Sequence, residues 1–131
     1  MKLFKMNKFI SFFTFNNVIA ITLAPFGIYI KDIYLNNNII VKHEIIHWRQ
    51  QMEMLIVFFY IWYIIEFIIR LIINFVVWIF MIKNNSENTY DSFSELRRYV
   101  YMSISFEKEA YKNENNLDYL NYRNYILGLN I

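Results

Sequence analysis

Between Met54 and Ile82 the chain carries only two charged side chains, Glu66 and Arg70, in a run otherwise dominated by Ile, Phe, Val, Leu, Trp and Tyr. A helix of about 20 apolar residues crosses the hydrocarbon of a bilayer, so this stretch qualifies as a membrane span by length and polarity. It contains neither glycine nor proline. Glu66 and Arg70 stand four apart, which on a helix lets them form a structural ion pair and lowers the cost of burying either. The pair also divides the run into two apolar arms of about a dozen residues, each rising roughly 18 Å as helix. Whatever chemistry the chain performs has to be built from segments on either side of this stretch.

The upstream flank holds the second constraint. Val41 to Gln51 reads VKHEIIHWRQQ, and the chain's two histidines, His43 and His47, both fall inside it with Glu44 between them. Residues four apart share a helix face, so both imidazoles can reach one metal ion. Glu44 lies roughly 100° further round the helix, close enough to reach a water beside the metal without being a ligand. Neutral imidazole suits Zn²⁺, and a carboxylate beside it can take a proton from water that the ion acidifies. The chain has no cysteine, so thiolate ligation and disulfides are excluded, and any metal must be held by His, Asp or Glu.

At 131 residues the chain is long enough for one domain, residues 1–131, and little more. Charged residues make up 18% and hydrophobic residues 57%, and a soluble domain normally carries about a quarter charged. That shortage points to a lipid contact or a heavily buried helix. A net charge of +2 is too small to indicate a nucleic-acid partner. Lys2, Lys5 and Lys8 followed by Phe9, Ile10, Phe12 and Phe13 read as a retained basic-aromatic segment at a membrane surface, since no small-residue cleavage site follows.

From Val18 to Tyr34, β-branched and aromatic residues broken by Pro25 and Gly27 predict a β-hairpin with strands at 18–23 and 28–34. Asn36 to Asn38 predict a turn, with Asn38 as N-cap of a helix that begins near Ile39 and carries the histidines. Beyond the polar stretch 82–91, Ser92 and Glu95 predict a capping box. Ser103 to Glu114 predict a polar helix with Ser105 as N-cap, and 115–131 a short amphipathic helix.

A catalytic zinc takes three protein ligands and leaves one position open. Glu53 stands where metzincins place their third ligand, but Gln50 replaces the glycine whose turn that geometry needs, so Glu53 points away. The segment Glu107-Lys-Glu-Ala110-Tyr111 resembles the ExxAD helix of gluzincins of the CAAX-protease and heat-shock membrane-protease type. The resemblance implies Glu107 as third ligand and Ala110 as the small residue that lets this helix approach the first. It departs at Tyr111, where those families carry an Asp that orients a ligand. Gln50, Tyr111 and Glu114 are the candidates to supply that bond instead. The pieces TLAPFGIYI, HEIIHWRQQMEM, FYIWYIIEFIIR and ISFEKEAYKNE are also similar to a group of short bacterial HExxH proteins, a likeness that implies the site more than an activity.

These demands conflict. If 54–82 crosses a membrane once, His43 and Glu107 end on opposite sides. The expectation is therefore that the stretch turns back near Glu66 to Asn74, either as a hairpin dipping into one leaflet or packed as the core of a compact helical domain. The expected fold is mainly α: a long HExxH helix, an apolar helical hairpin, a C-terminal ligand-bearing helix and a small N-terminal β-hairpin, together a minimal zincin-like core. The expected function is zinc-dependent peptide hydrolysis at a membrane, in bacteria the inner membrane. Zn²⁺ would be held by His43, His47 and Glu107, Glu44 would be general base, and the substrate would be a peptide or protein. Tyr99, Tyr101, Tyr111 and Arg123 are available to stabilise an oxyanion. The alternatives are a non-catalytic membrane protein in which a metal or polar pairs tie helices together, and a membrane-active protein with no metal.

Overall fold

The computed structural model describes residues 1–8, 10, 18–83, 90–116 and 118–123. It is mainly helical, with a small sheet at the N-terminus. Strand β1 (Leu3–Lys5) precedes a hairpin of β2 (Ala20–Leu23) and β3 (Gly27–Ile30), followed by a 3₁₀ turn at Asp32–Tyr34. Helix α1 (Asn38–Glu53) carries the histidines, and α2 (Val57–Lys83) is the long apolar helix. Helices α3 (Phe93–Ser103), α4 (Ser105–Asn113) and α5 (Tyr119–Tyr122) follow. The aromatic residues Phe9, Phe12 and Phe13, and residues 124–131 of the expected amphipathic tail, lie outside the described residues.

The hairpin forms where β-branched residues alternate, with Ala20 opposite Ile30 and Thr22 opposite Ile28. The sheet has a third, exposed strand within the basic N-terminal segment, where no strand is expected. β1 pairs in parallel with β3, Leu3 opposite Ile28, giving the order β1-β3-β2 with β2 at an edge. Gly27 makes this pairing possible, because a Cβ there would lie 2.6 Å from the Phe4 ring and 2.9 Å from the Lys2 carbonyl oxygen. Ala20, Ile28 and Ile30 seal the sheet against α1 through Ile40, Val41, Ile45 and Trp48.

Two of the expected caps are displaced. Asn37 rather than Asn38 caps α1, accepting from the amides of Ile39 and Ile40. Ser105 does not cap α4. The Glu66 carboxylate reaches across from α2 and accepts from the Ser105 amide at 3.0 Å and its hydroxyl at 2.7 Å. Ser92 does cap α3, through the Glu95 amide, and the Glu95 side chain reaches back to the Asp91 amide.

The expected hairpin inside 54–82 is not there. Val57 to Lys83 is one uninterrupted helix, and the groups that divide it bridge successive turns without breaking it. Arg70 Nη2 lies 2.7 Å from Glu66 Oε1, and the Asn74 amide donates to the Arg70 carbonyl at 2.8 Å. With no glycine or proline, nothing offsets the loss of a turn of backbone hydrogen bonds. The return is made by α3, which runs back along α2. Trp78 donates to the Tyr90 carbonyl at 2.9 Å, Leu96 and Val100 pack on Phe67 and Leu71, and Phe106 packs on Phe59. By length and composition α2 is long and apolar enough to cross a membrane, with a mean hydropathy of 2.3 and none of its most apolar window buried.

Between α1 and α2 the backbone takes two consecutive left-handed residues, Leu55 at φ 55° and Ile56 at φ 53°. That conformation costs an L-residue roughly 1–2 kcal/mol, and Leu55 is 71% exposed, so its side chain returns little by packing. Leu55→Gly is therefore expected to raise stability by about 1 kcal/mol. An unchanged or lower midpoint in chemical denaturation would show that the turn carries no such strain.

Candidate metal centre

His43 and His47 stand one turn apart on the face of α1 that meets α4. That approach is close because Ala110, fully buried, packs on Ile46. The first turn of α4 presents Glu107 to both imidazoles. His43 Nε2 lies 3.1 Å from His47 Nε2 and 3.4 Å from Glu107 Oε2, and His47 Nε2 lies 3.4 Å from Glu107 Oε1. Ligand atoms set tetrahedrally around an ion at 2.0–2.1 Å stand about 3.3 Å from one another, and each imidazole meets a different oxygen of the carboxylate near that separation. These residues form a buried group that could hold a metal ion.

The outer hydrogen bonds decide which ring nitrogens face inward. His43 Nδ1 lies 2.8 Å from Glu114 Oε2, an acceptor, so His43 donates there. His47 Nδ1 lies 2.7 Å from Gln50 Oε1. Gln50 uses its amide N–H₂ on the Phe106 carbonyl at 3.1 Å, so its oxygen must accept from His47. In its neutral form each imidazole therefore carries N–H at Nδ1 and a lone pair at Nε2, the tautomer a ligand needs. Tyr111 sets its ring against the edge of His43, centroids 4.6 Å apart. Gln50, Tyr111 and Glu114 thus all contact the histidines.

Glu107 is 3% exposed. Tyr63 of α2 donates to its Oε1 at 2.8 Å, while Oε2 is buried without a hydrogen-bond partner. Burial pushes the Glu107 carboxyl up, but its contacts with His43 and His47 and the Tyr63 bond outweigh this and hold it well below the usual carboxylate range. His47 is subject to the same opposition. Burial pushes it down, and the Glu107 carboxylate, helped by Glu44 and Gln50, lifts it to about 9. The centre draws positive charge to itself.

Glu44 points to neither imidazole's outer partner. Its Oε2 lies 2.7 Å from the Thr22 hydroxyl, which shares its single proton between that oxygen and the Glu44 carbonyl at 2.9 Å. Burial raises the Glu44 carboxyl above its ordinary value against the attraction of His47 and the Thr22 bond. Two clefts flank the centre. One, of about 610 Å³, is lined by His43, Glu44, Tyr101, Tyr111 and Arg98. The other, of about 240 Å³, is lined by Glu44, His47, Glu107, Tyr63 and Tyr101. Glu44, Tyr101, Val18 and Ala20 border both.

Several residues singled out from the sequence lie elsewhere. The Glu66–Arg70 pair tethers α4 rather than joining the centre. Arg123 is buried between Glu53, whose Oε1 it meets at 2.7 Å, and Glu109. Tyr99 packs on Tyr90, centroids 5.3 Å apart. Of the four candidates for oxyanion stabilisation, Tyr101 and Tyr111 remain at the clefts. Burial, and then the Glu107 carboxylate, push both phenols above their usual range, so each stays a protonated donor. Sequence reasoning missed Thr22, Tyr63 and Gln51. Gln51 ties α1 to the edge strand, accepting from the Ala24 amide and donating to the Thr22 carbonyl, each at 2.9 Å. Tyr63 was signalled by its place on α2, three residues before Glu66, whereas nothing local marked Thr22 or Gln51.

Zn²⁺ titrated into metal-free protein is expected to bind near one ion per chain, with His43→Ala, His47→Ala and Glu107→Ala each abolishing stoichiometric uptake. Glu114→Ala and Gln50→Ala, which leave the ligands but free the rings, are expected to weaken it by roughly 10- to 100-fold. Equal uptake by wild type and the ligand variants would show that this cluster is not a metal centre. Comparison of the chain with protein-family models, with curated proteins and with solved structures finds no match in any of the three.

Proposed function

We propose that this chain is a zinc-dependent metallopeptidase of gluzincin type that works at a membrane. The observation that carries the reading is the convergence of two imidazoles and a carboxylate at distances one ion could bridge, with a separate carboxyl, Glu44, lining both clefts. Held by His43, His47 and Glu107, Zn²⁺ supplies Lewis acidity that lowers the pKa of water and polarises a carbonyl.

The protein's own groups supply the remainder. Glu44, raised by burial and kept in place by Thr22, takes the proton of the attacking water and delivers it to the leaving amine. A carboxyl with a raised pKa suits both transfers, since it gives the proton up as readily as it accepts it. Tyr101 and Tyr111 are the hydroxyl donors available to the developing oxyanion. The edge strand β2 offers an extended peptide a place to pair as an added strand beside Glu44, because Val18 and Ala20 border both clefts. Burial of the centre excludes bulk water, and the apolar walls at Ile39 and Ile40 suit an apolar segment of substrate.

Glu44→Gln separates this reading from a metal that merely ties α1 to α4. The amide keeps the shape and the Thr22 contact but cannot accept a proton. The variant is expected to retain its Zn²⁺ and its thermal midpoint while losing hydrolysis of an unstructured protein substrate by roughly 10²- to 10⁴-fold. Loss of the metal in Glu44→Gln would make Glu44 a ligand. Full activity in that variant would remove it from the chemistry.

A further inference from the structure

Helix α2 divides its surface into two unlike halves. Apart from the Trp62 indole, each polar side chain between Val57 and Ile82 lies on the stripe turned toward the rest of the protein and is hydrogen-bonded there. Tyr60 donates to the Thr22 carbonyl, Tyr63 to Glu107, Arg70 to Glu66, Asn74 to the Arg70 carbonyl and Trp78 to the Tyr90 carbonyl. The other half is apolar along the whole helix. Ile64, Ile65, Ile68, Ile69, Ile72 and Ile73 are between 47% and 58% exposed. At 100° per residue this bare face spans about half the circumference.

The width of the face says what covers it. A second helix packed against α2 would cover a stripe of roughly 100°, so a second copy of this chain would leave nearly as much apolar surface bare as it hid. A liquid hydrocarbon phase covers the face completely. The orientation follows from α3. Leu96 and Val100 rest on Phe67 and Leu71, at the middle of α2, while Arg97 and Arg98 between them are exposed. With α2 upright across a bilayer, both guanidinium groups would sit near the depth at which charge is least tolerated. With α2 lying flat, the apolar half faces the acyl chains and Arg97 and Arg98 remain in water, as in an interfacial amphipathic helix.

We propose that α2 is an in-plane anchor: it lies submerged in one leaflet by its apolar half, does not cross the bilayer, and leaves both of its ends on the same side. The proposal rests on the membrane association in the reading above and not on its catalytic part, since no step of the test reads hydrolysis.

The chain has no cysteine, so single cysteines report position directly. Asn36→Cys, ahead of α1, and Asp91→Cys, at the far end of α2, are both exposed sites. The protein is added to preformed phosphatidylcholine–phosphatidylglycerol vesicles, recovered by flotation and treated with an impermeant maleimide. Both cysteines are expected to label from outside to equal extent, with no gain at either when the vesicles are permeabilised. A nitroxide at Ile69→Cys is expected to be accessible to oxygen and shielded from a water-soluble relaxant, and one at Arg97→Cys the reverse. Ile65→Glu/Ile69→Glu, checked for an unchanged helical spectrum, is expected to lose flotation at least tenfold. Labelling of Asp91→Cys only after permeabilisation would overturn the in-plane geometry in favour of a span while leaving membrane association intact. Failure of the wild-type protein to float, with α2 protected in a soluble dimer, would overturn lipid as the occupant.

Discussion

Two imidazole lone pairs and a carboxylate turned toward one buried point repel one another unless positive charge lies among them. The rest of the molecule holds that unfavourable arrangement in place. Glu114 and Gln50 fix the ring tautomers from behind, Tyr63 holds one carboxylate oxygen, and Ala110 lets two helices approach closely enough for all three to meet. The Glu66 carboxylate, nine residues past the start of α2, sets the start of α4 two residues before Glu107. The ion pair in the apolar helix therefore works as a positioning device for the centre as well as a means of hiding two charges.

How far the fold could be read in advance depended on whether the information was local. The register His43, Glu44, His47 needs only helix periodicity, and Glu107 is legible through the resemblance of its segment to the ExxAD helix of gluzincins. The hairpin turn at Pro25 and the cap at Ser92 were local as well. The failures were long-range. The strand character of β1 is not legible because three residues carry little strand signal by themselves; its partner is β3, over twenty residues away. Thr22 and Gln51 resemble any polar residues on a strand and a helix until the two elements are brought together. The supposed break in α2 came from asking the apolar run to solve a topological problem that α3 solves instead.

That misreading has a physical lesson in the spacing of polar groups. Tyr60, Tyr63, Glu66, Arg70, Asn74 and Trp78 recur every three or four residues, and a stripe with that period is the packed face of one continuous helix. In a chain so rich in Ile and Phe, the inward face of a helix is marked by its few polar groups and not by its apolar ones. The usual inside-out reading of hydrophobicity is inverted along α2.

Gln51 gives the sheet a boundary. An unpaired strand edge is an open template, and a chain that exposes one invites a neighbour of any register to add to it. On β2 the side-chain amide of Gln51 occupies the Thr22 carbonyl and the Ala24 amide, standing in for two residues of a missing strand. The template is thereby closed at one end and open only toward Ala20 and Val18. A polypeptide that joins this edge meets a fixed stop beside Glu44, so one glutamine both blunts the edge against self-association and sets where along a visiting chain the centre would come to bear.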